Sequence, residues 1–244
     1  MSRGAFIVIE GLDRSGKTTQ TAILCEQLEK AGKPVKLLKF PDRTTAIGKM
    51  IDAYLRSQSE LDDRAIHLLF SANRWELASQ IEKSLQEGTT IVCDRYAFSG
   101  IAFSASKGLS YEWCRAPDIS LPSPDLVLFL DIPPEKAKER GGYGEERYEK
   151  EEMQKKVRQV FGRIGDEMTG AEGVKWIVVD AGRDQETVSK DIWSNVEGFL
   201  GEVSRPIRRL WDSSDVIKLQ RVNNAAQHAQ TATPPHAQPV PHTP

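Results

Sequence analysis

With 244 residues, 39% of them hydrophobic, the chain can bury one cored domain and carry a tail, and its formal charge of −2 lacks the broad basic field of a nucleic-acid binder. No apolar stretch approaches the length that spans a bilayer, and no export leader precedes the first apolar run, so no membrane contact is expected. The three cysteines, Cys25, Cys93 and Cys114, make no C-x-x-C pair and suit a reducing compartment inside the cell, cytoplasmic or nuclear.

The chain opens on Phe6-Ile7-Val8-Ile9-Glu10, a run that reads as a strand buried on both faces. It leads directly into Gly11-Leu12-Asp13-Arg14-Ser15-Gly16-Lys17-Thr18-Thr19, the phosphate-binding pattern G-x-x-x-x-G-K-[ST]. Gly11 and Gly16 let the backbone curl so that successive N–H groups face one anion. A helical pattern follows, with Leu24, Leu28 and Ala31 on one side and Gly32 as its stop. The positive end of that helix adds to the anion site. Lys17 can reach the terminal phosphates of a nucleoside triphosphate, and the Thr18 hydroxyl can ligate the Mg²⁺ that accompanies them.

Further strands are predicted over 35–40, 90–94, 125–132 and 174–180. Helical patterns lie between them at 44–56, 62–87, 95–106, 134–140, 149–169 and 184–201. Such alternation specifies an α/β fold: a five-stranded parallel sheet with helices on both faces. Ligands of these sheets bind at the carboxyl ends of the strands, where Gly11, Pro41, Asp94 and Ile132 fall. His67, the one histidine inside this region, reads as a packed or half-exposed helix residue. The domain is expected to cover 1–212. The remainder, 213–244, is poor in large apolar residues and reads as a disordered tail.

A second group of residues gathers behind the strand ends. Phe40-Pro41-Asp42-Arg43 follows the second strand; Phe70-Ser71-Ala72-Asn73-Arg74 puts Phe70 and Arg74 on one helix face; Asp94-Arg95-Tyr96 closes the third strand. Ser99, Gly100 and Phe103 open the next helix, and a glycine-interrupted lid at about 140–148 runs from Arg140 to Arg147-Tyr148. Taken singly, Arg43 and Arg140 read as surface charges, and Phe70 equally well as core. Arg74, on a strongly apolar helix, needs a ligand or a carboxylate. Asp94 can hold Mg²⁺ or its waters. An acceptor phosphate is already ionised, so the chemistry calls for positive charge rather than a general base. Lys17, Arg14, Arg43, Arg95, Arg140 and Arg147 offer that charge, and a closing lid would exclude water.

Together the Phe-Pro-Asp-Arg, Phe-Ser-Ala-Asn-Arg-Trp, Asp-Arg-Tyr-Ala-Phe-Ser-Gly and Glu-Arg-Tyr motifs closely resemble the thymidylate kinases, over about residues 4–212. The resemblance implies a P-loop nucleoside monophosphate kinase fold, Mg²⁺, ATP as donor, dTMP as acceptor and a homodimer. It implies ATP contacts from Gly11, Asp13, Arg14, Ser15, Gly16, Lys17, Thr18 and Thr19 of the loop and from Arg140 and Arg183, with Arg183 near the adenine. On the acceptor side, thymine would lie on Phe70 near Phe40 and Pro41, with Arg74 donating to its O4 and Phe103 closing over it beside Gly100. Arg43 and Arg95 would hold the monophosphate, Asp13 would approach the 3′-hydroxyl, and Tyr148 would crowd the 2′ position. Asp94 would serve the metal and the acceptor. Arg14 within the loop resembles the subtype, eukaryotic members included, that places its catalytic arginine there. The alternatives are a kinase acting on UMP, CMP or AMP and, from another class, a P-loop switch protein. The latter would need an Asn-Lys-x-Asp guanine-reading motif, which this chain lacks.

Overall fold

The computed structural model describes residues 2–140, 146–169, 174–201 and 203–212. Met1–Leu210 forms one compact unit; of the second, Trp211–Pro244, only Trp211 and Asp212 are described, so the expected tail lies outside the described residues. Five parallel strands, β1 Phe6–Gly11, β2 Val35–Lys39, β3 Thr90–Asp94, β4 Leu126–Asp131 and β5 Lys175–Asp180, lie in the order β2-β3-β1-β4-β5. Central β1 and β3 are buried at every position, which is why they read as unbroken apolar runs rather than alternating ones. Register aligns the functional ends: Ile9 lies beside Asp94, Lys39 beside Asp94, and Gly11 beside Leu130.

The helices are α1 Lys17–Lys30, α2 Ala46–Leu55, α3 Asp63–Gln86, α4 Ala97–Ala105, α5 Tyr111–Arg115, α6 Pro134–Lys138, α7 Glu151–Thr169 and α8 Gln185–Val196. Local chemistry starts several of them: Thr45, Asp62 and Asp184 each accept a backbone N–H of the first turn of α2, α3 and α8. α1 packs with α8, while α3, α4 and α7 form the other helical layer.

Three expectations shift. Ala31 is exposed just past the end of α1, whose buried face is made by Gln20, Thr21, Leu24 and Leu28 together with Lys17. α4 starts at Ala97 rather than 95, because Arg95 takes a left-handed φ of 68° and Tyr96 is extended. α8 ends at Val196 and gives way to a 3₁₀ turn, Glu197–Phe199. The pattern did not reveal α5 or the 3₁₀ turn Ala116–Asp118 after it; both are too short to show a period, and Pro117 sits within the turn.

Candidate active site

Between β1 and α1 the loop turns on two glycines with positive φ, Gly11 at 152° and Gly16 at 94°. A Cβ at Gly11 would sit 2.7 Å from the Leu130 carbonyl oxygen, so no side chain fits there. Arg14 also holds a left-handed φ, 62°. Such conformations cost about 1–3 kcal/mol each in a residue with a side chain and gather at functional sites. Lys17 Nζ is buried and donates to the Leu12 carbonyl at 2.5 Å. Burial, followed by the Arg95 charge, pulls its pKa down to about 7 against the opposing carboxylates of Asp13, Asp94 and Glu10.

Thr18 Oγ1 donates to Asp94 Oδ2 at 2.8 Å, which brings the start of α1 to the end of β3. The other oxygen, Asp94 Oδ1, is buried with no hydrogen-bond partner among the described residues. A buried acceptor in that state suits a cation or its waters. No cluster of three His, Cys, Asp or Glu side chains exists among the described residues. Mg²⁺ does not need one, since it commonly takes one or two protein ligands and fills its octahedron with water and phosphate oxygens. The Thr18–Asp94 pair therefore fits the group.

Two clefts open at these strand ends. Arg14, Ser15, Gly16, Lys17, Thr18 and Thr19 line the first, with Arg140 and Arg183 at its margin. Gly11 does not face it; its carbonyl instead accepts Arg95 Nη1 at 3.1 Å. Arg140 ties the loop to the β5–α8 connection, donating to the Arg14 carbonyl at 2.9 Å and the Ala181 carbonyl at 2.7 Å. Arg183 pairs with Asp191. Phe70, Arg74, Gly100, Phe103, Ser104 and Tyr148 line the second cleft. Asp13, Phe40, Pro41, Arg43, Arg95 and Glu146 line both, so the clefts meet at these residues.

Arg74 finds the carboxylate its burial demands. Its Nε and Nη2 donate to the two oxygens of Asp118 at 3.1 and 2.6 Å, with both side chains buried. Ser71 also donates to Asp118, at 2.8 Å. A Cβ on Gly100 would lie 2.7 Å from Arg74 Nη2, so glycine makes room for the guanidinium. Phe70 packs against the Ile51–Tyr54–Leu55–Ile66 cluster and also lines the cleft. The Phe103 and Tyr148 rings lie 5.3 Å apart, and the Arg95 guanidinium is 5.3 Å from the Phe103 ring centre.

The remaining cations are held by carboxylates. Arg14 Nε donates to Glu149 at 2.9 Å, Arg43 bridges Asp52 and Glu146 at 2.7 Å each, and Arg95 pairs with Asp13. Arg147 departs from expectation. It lines neither cleft but donates to the carbonyls of Tyr54 at 3.0 Å and Ser59 at 3.2 Å and to Glu60 at 2.7 Å, tying the turn before α7 to the α2–α3 connection. Residues 141–145 of the predicted lid lie outside the described residues. His67 is fully buried rather than half-exposed.

Three participants went unseen in the sequence. Gln154 on α7 grips Asp13, accepting its N–H at 3.1 Å and donating to its carboxylate at 2.8 Å. Asp118 sits in the unforeseen 3₁₀ turn. Glu10, a carboxylate inside an apolar strand, was the one visible signal; burial pushes its pKa up against three donors and the Arg95 charge.

The thymidylate kinase family model matches residues 9–192. The chain belongs to the thymidylate kinase family. The thymidylate kinase of Arabidopsis thaliana is 52% identical over 213 residues, covering 86% of this chain and 78% of that protein. Thymidylate kinase from Homo sapiens is 44% identical over 211 residues, 86% of this chain and 98% of its own length. A solved thymidylate kinase structure from Candida albicans matches the fold with a TM-score of 0.78 at 40% identity, across 86% of this chain and 99% of that one.

Proposed function

We propose a division of labour for the transfer of the γ-phosphoryl of ATP to dTMP, giving dTDP, the activity of this thymidylate kinase. The observation that supports it is the meeting of two clefts at Asp13, Arg43 and Arg95. ATP takes the cleft of the phosphate loop. Its phosphates lie against the N–H groups at the head of α1, with Lys17, Arg14 and Arg140 as the charged contacts and Arg183 toward the adenine. dTMP takes the other cleft, its ring on Phe70 and its monophosphate on Arg43 and Arg95. Arg74, oriented by Asp118, donates to O4 of thymine. Cytosine carries an amino group there and would set donor against donor. Asp13 approaches the 3′-hydroxyl and Tyr148 the 2′ position.

Thr18 and Asp94 would hold Mg²⁺, which neutralises charge on the phosphate oxygens when bound. The acceptor oxygen is ionised at neutral pH, so no side chain has to remove a proton. Arg14 and Lys17 stabilise the transferring group, while Arg95 holds the acceptor in line.

ADP formation with dTMP, dUMP, UMP, CMP and AMP tests the base reading. dTMP is expected to be preferred, and a preference for UMP or CMP overturns the assignment. Phe70→Ala is expected to weaken dTMP binding by roughly 1–3 kcal/mol, the range for stacking a base on an aromatic ring; unchanged dTMP affinity removes Phe70 from the site.

A homodimer through helix faces is supported by the exposed Leu68 and Trp75, seven residues apart on α3, and by exposed Met50 on α2. Light scattering of Leu68→Glu should show a monomer; an unchanged dimer moves the interface elsewhere. No helix among the described residues is long and apolar enough to cross a membrane. The free thiols of Cys25, Cys93 and Cys114 support an intracellular setting, cytoplasmic or nuclear.

A further inference from the structure

Beneath the acceptor arginine lies a carboxylate that no phosphate or metal contact employs. Glu10, near the end of β1, is fully buried. Its Oε1 accepts the backbone N–H groups of Tyr96 at 2.9 Å and Ser99 at 3.0 Å, and its Oε2 accepts the Ser99 hydroxyl at 2.6 Å. Tyr96, at the N-cap of α4, offers no capping side chain. Glu10 supplies the missing acceptor from the strand beside β3, so the first turn of α4 rests on β1.

The direction of one proton gives this cap a further effect. A hydroxyl has a single proton to donate. Ser99 gives its proton to Glu10, so the Oγ lone pairs stay available, and Oγ accepts Arg95 Nη1 at 3.0 Å. The Gly11 carbonyl at 3.1 Å and the Asp13 carboxylate complete the seat of that guanidinium. We infer that Glu10 is a positioning residue for the acceptor phosphate: by holding the Ser99 proton, it orients Arg95 at the meeting point of the two clefts. The inference rests on the reading of Arg95 as an acceptor-phosphate arginine.

Glu10→Gln separates this role from capping. The amide oxygen still accepts both N–H groups, so the cap survives. The NH₂ group, however, now donates to Ser99 Oγ, so the hydroxyl proton loses the acceptor that fixed its direction and one of the two lone pairs facing Arg95 is taken.

The test is calorimetric titration of dTMP and of ATP into the full chain carrying Glu10→Gln, Ser99→Ala, both together, or Arg95→Met. Glu10→Gln and Ser99→Ala should each weaken dTMP about tenfold, the scale of one hydrogen bond to a charged group, with ATP affinity within about twofold. The double variant should bind dTMP no more weakly than Ser99→Ala, since the effect of Glu10 on Arg95 passes through the Ser99 hydroxyl. Unchanged dTMP affinity, parallel loss of ATP and dTMP, or additive losses in the double variant each overturn the proposal. Should Glu10→Gln fail to fold, Ser99→Ala decides alone: unchanged dTMP affinity overturns the proposal. Arg95→Met separates the two levels. If it leaves dTMP binding intact, the reading of Arg95 fails. If it weakens dTMP while Glu10→Gln and Ser99→Ala do not, only the role of Glu10 fails.

Discussion

Thr18 and Asp94 lie 76 residues apart in sequence, yet the hydroxyl of one donates to the carboxylate of the other at 2.8 Å, leaving Asp94 Oδ1 buried with no partner among the described residues. Asp94→Asn keeps the shape and removes the charge. It is expected to lower the turnover number on the order of a hundredfold, the scale for loss of one electrostatic contact at a reacting centre. A titration of activity against Mg²⁺ checks this: the variant should need more Mg²⁺, and an unshifted Mg²⁺ dependence would exclude Asp94 from the metal site.

Arg14 stands in the phosphate loop with a left-handed φ of 62° and its Nε on Glu149. Arg14→Ala should cut the turnover number on the order of 10³-fold, as removal of an arginine from a phosphoryl-transfer site does, with dTMP affinity within about twofold. Single-turnover rates beside equilibrium dTMP binding separate the two effects; an undiminished rate would release Arg14 from the chemistry.

Asp118 neutralises Arg74 inside the protein, the two side chains being 0% and 3% exposed. Asp118→Asn leaves that guanidinium buried without its counter-charge. Breaking a buried pair from one side costs about 3–5 kcal/mol. Calorimetric unfolding should therefore show a large drop in melting temperature together with weaker dTMP binding. A stability change below about 1 kcal/mol would mean that water reaches Arg74.

Arg147 ties the turn before α7 to the α2–α3 connection, its guanidinium 4.2 Å from the Tyr54 ring centre and its donors on Tyr54, Ser59 and Glu60. Arg147→Ala should speed amide exchange at Tyr148 and Glu149 while leaving ATP affinity unchanged. Unaltered exchange with weakened ATP binding would return Arg147 to the phosphates.

His67 is buried between Ser104 Oγ, 2.8 Å from Nδ1, and the Cys114 carbonyl, 2.9 Å from Nε2. A carbonyl can only accept, so Nε2 carries the proton and Nδ1 accepts from Ser104. Burial, and next the Arg74 charge, holds its pKa below the ordinary 6.5. Below pH 6.5 the unfolded chain then binds more protons than the folded one. The stability that neutral His67 contributes is complete above that pH and is lost as the pH falls through the lowered pKa. His67→Gln should flatten this acid slope. Melting temperatures of both proteins between about pH 5 and 7.5 test it; parallel slopes would assign the acid sensitivity to other groups.

Local pattern carried much of this molecule. β1, the glycine loop and α1 are contiguous, and their order is itself the anion site, so Gly11 through Thr18 could be read without a fold. Apolar runs bounded by turns placed all five strands. Short elements escaped, because α5 and the turn ending at Asp118 are too brief to show a period.

What sequence alone determined was the triphosphate loop, the parallel sheet and the inventory of charged residues near the strand ends. Only the tertiary structure decided where each charge points. Arg74 meets a carboxylate 44 residues away, Arg147 turns to the α2–α3 connection, and Glu10 slips under α4. A backbone turn is set by its own residues, whereas a long cationic side chain is directed by whichever carboxylate folding brings beside it, since a buried charge cannot stay unpaired.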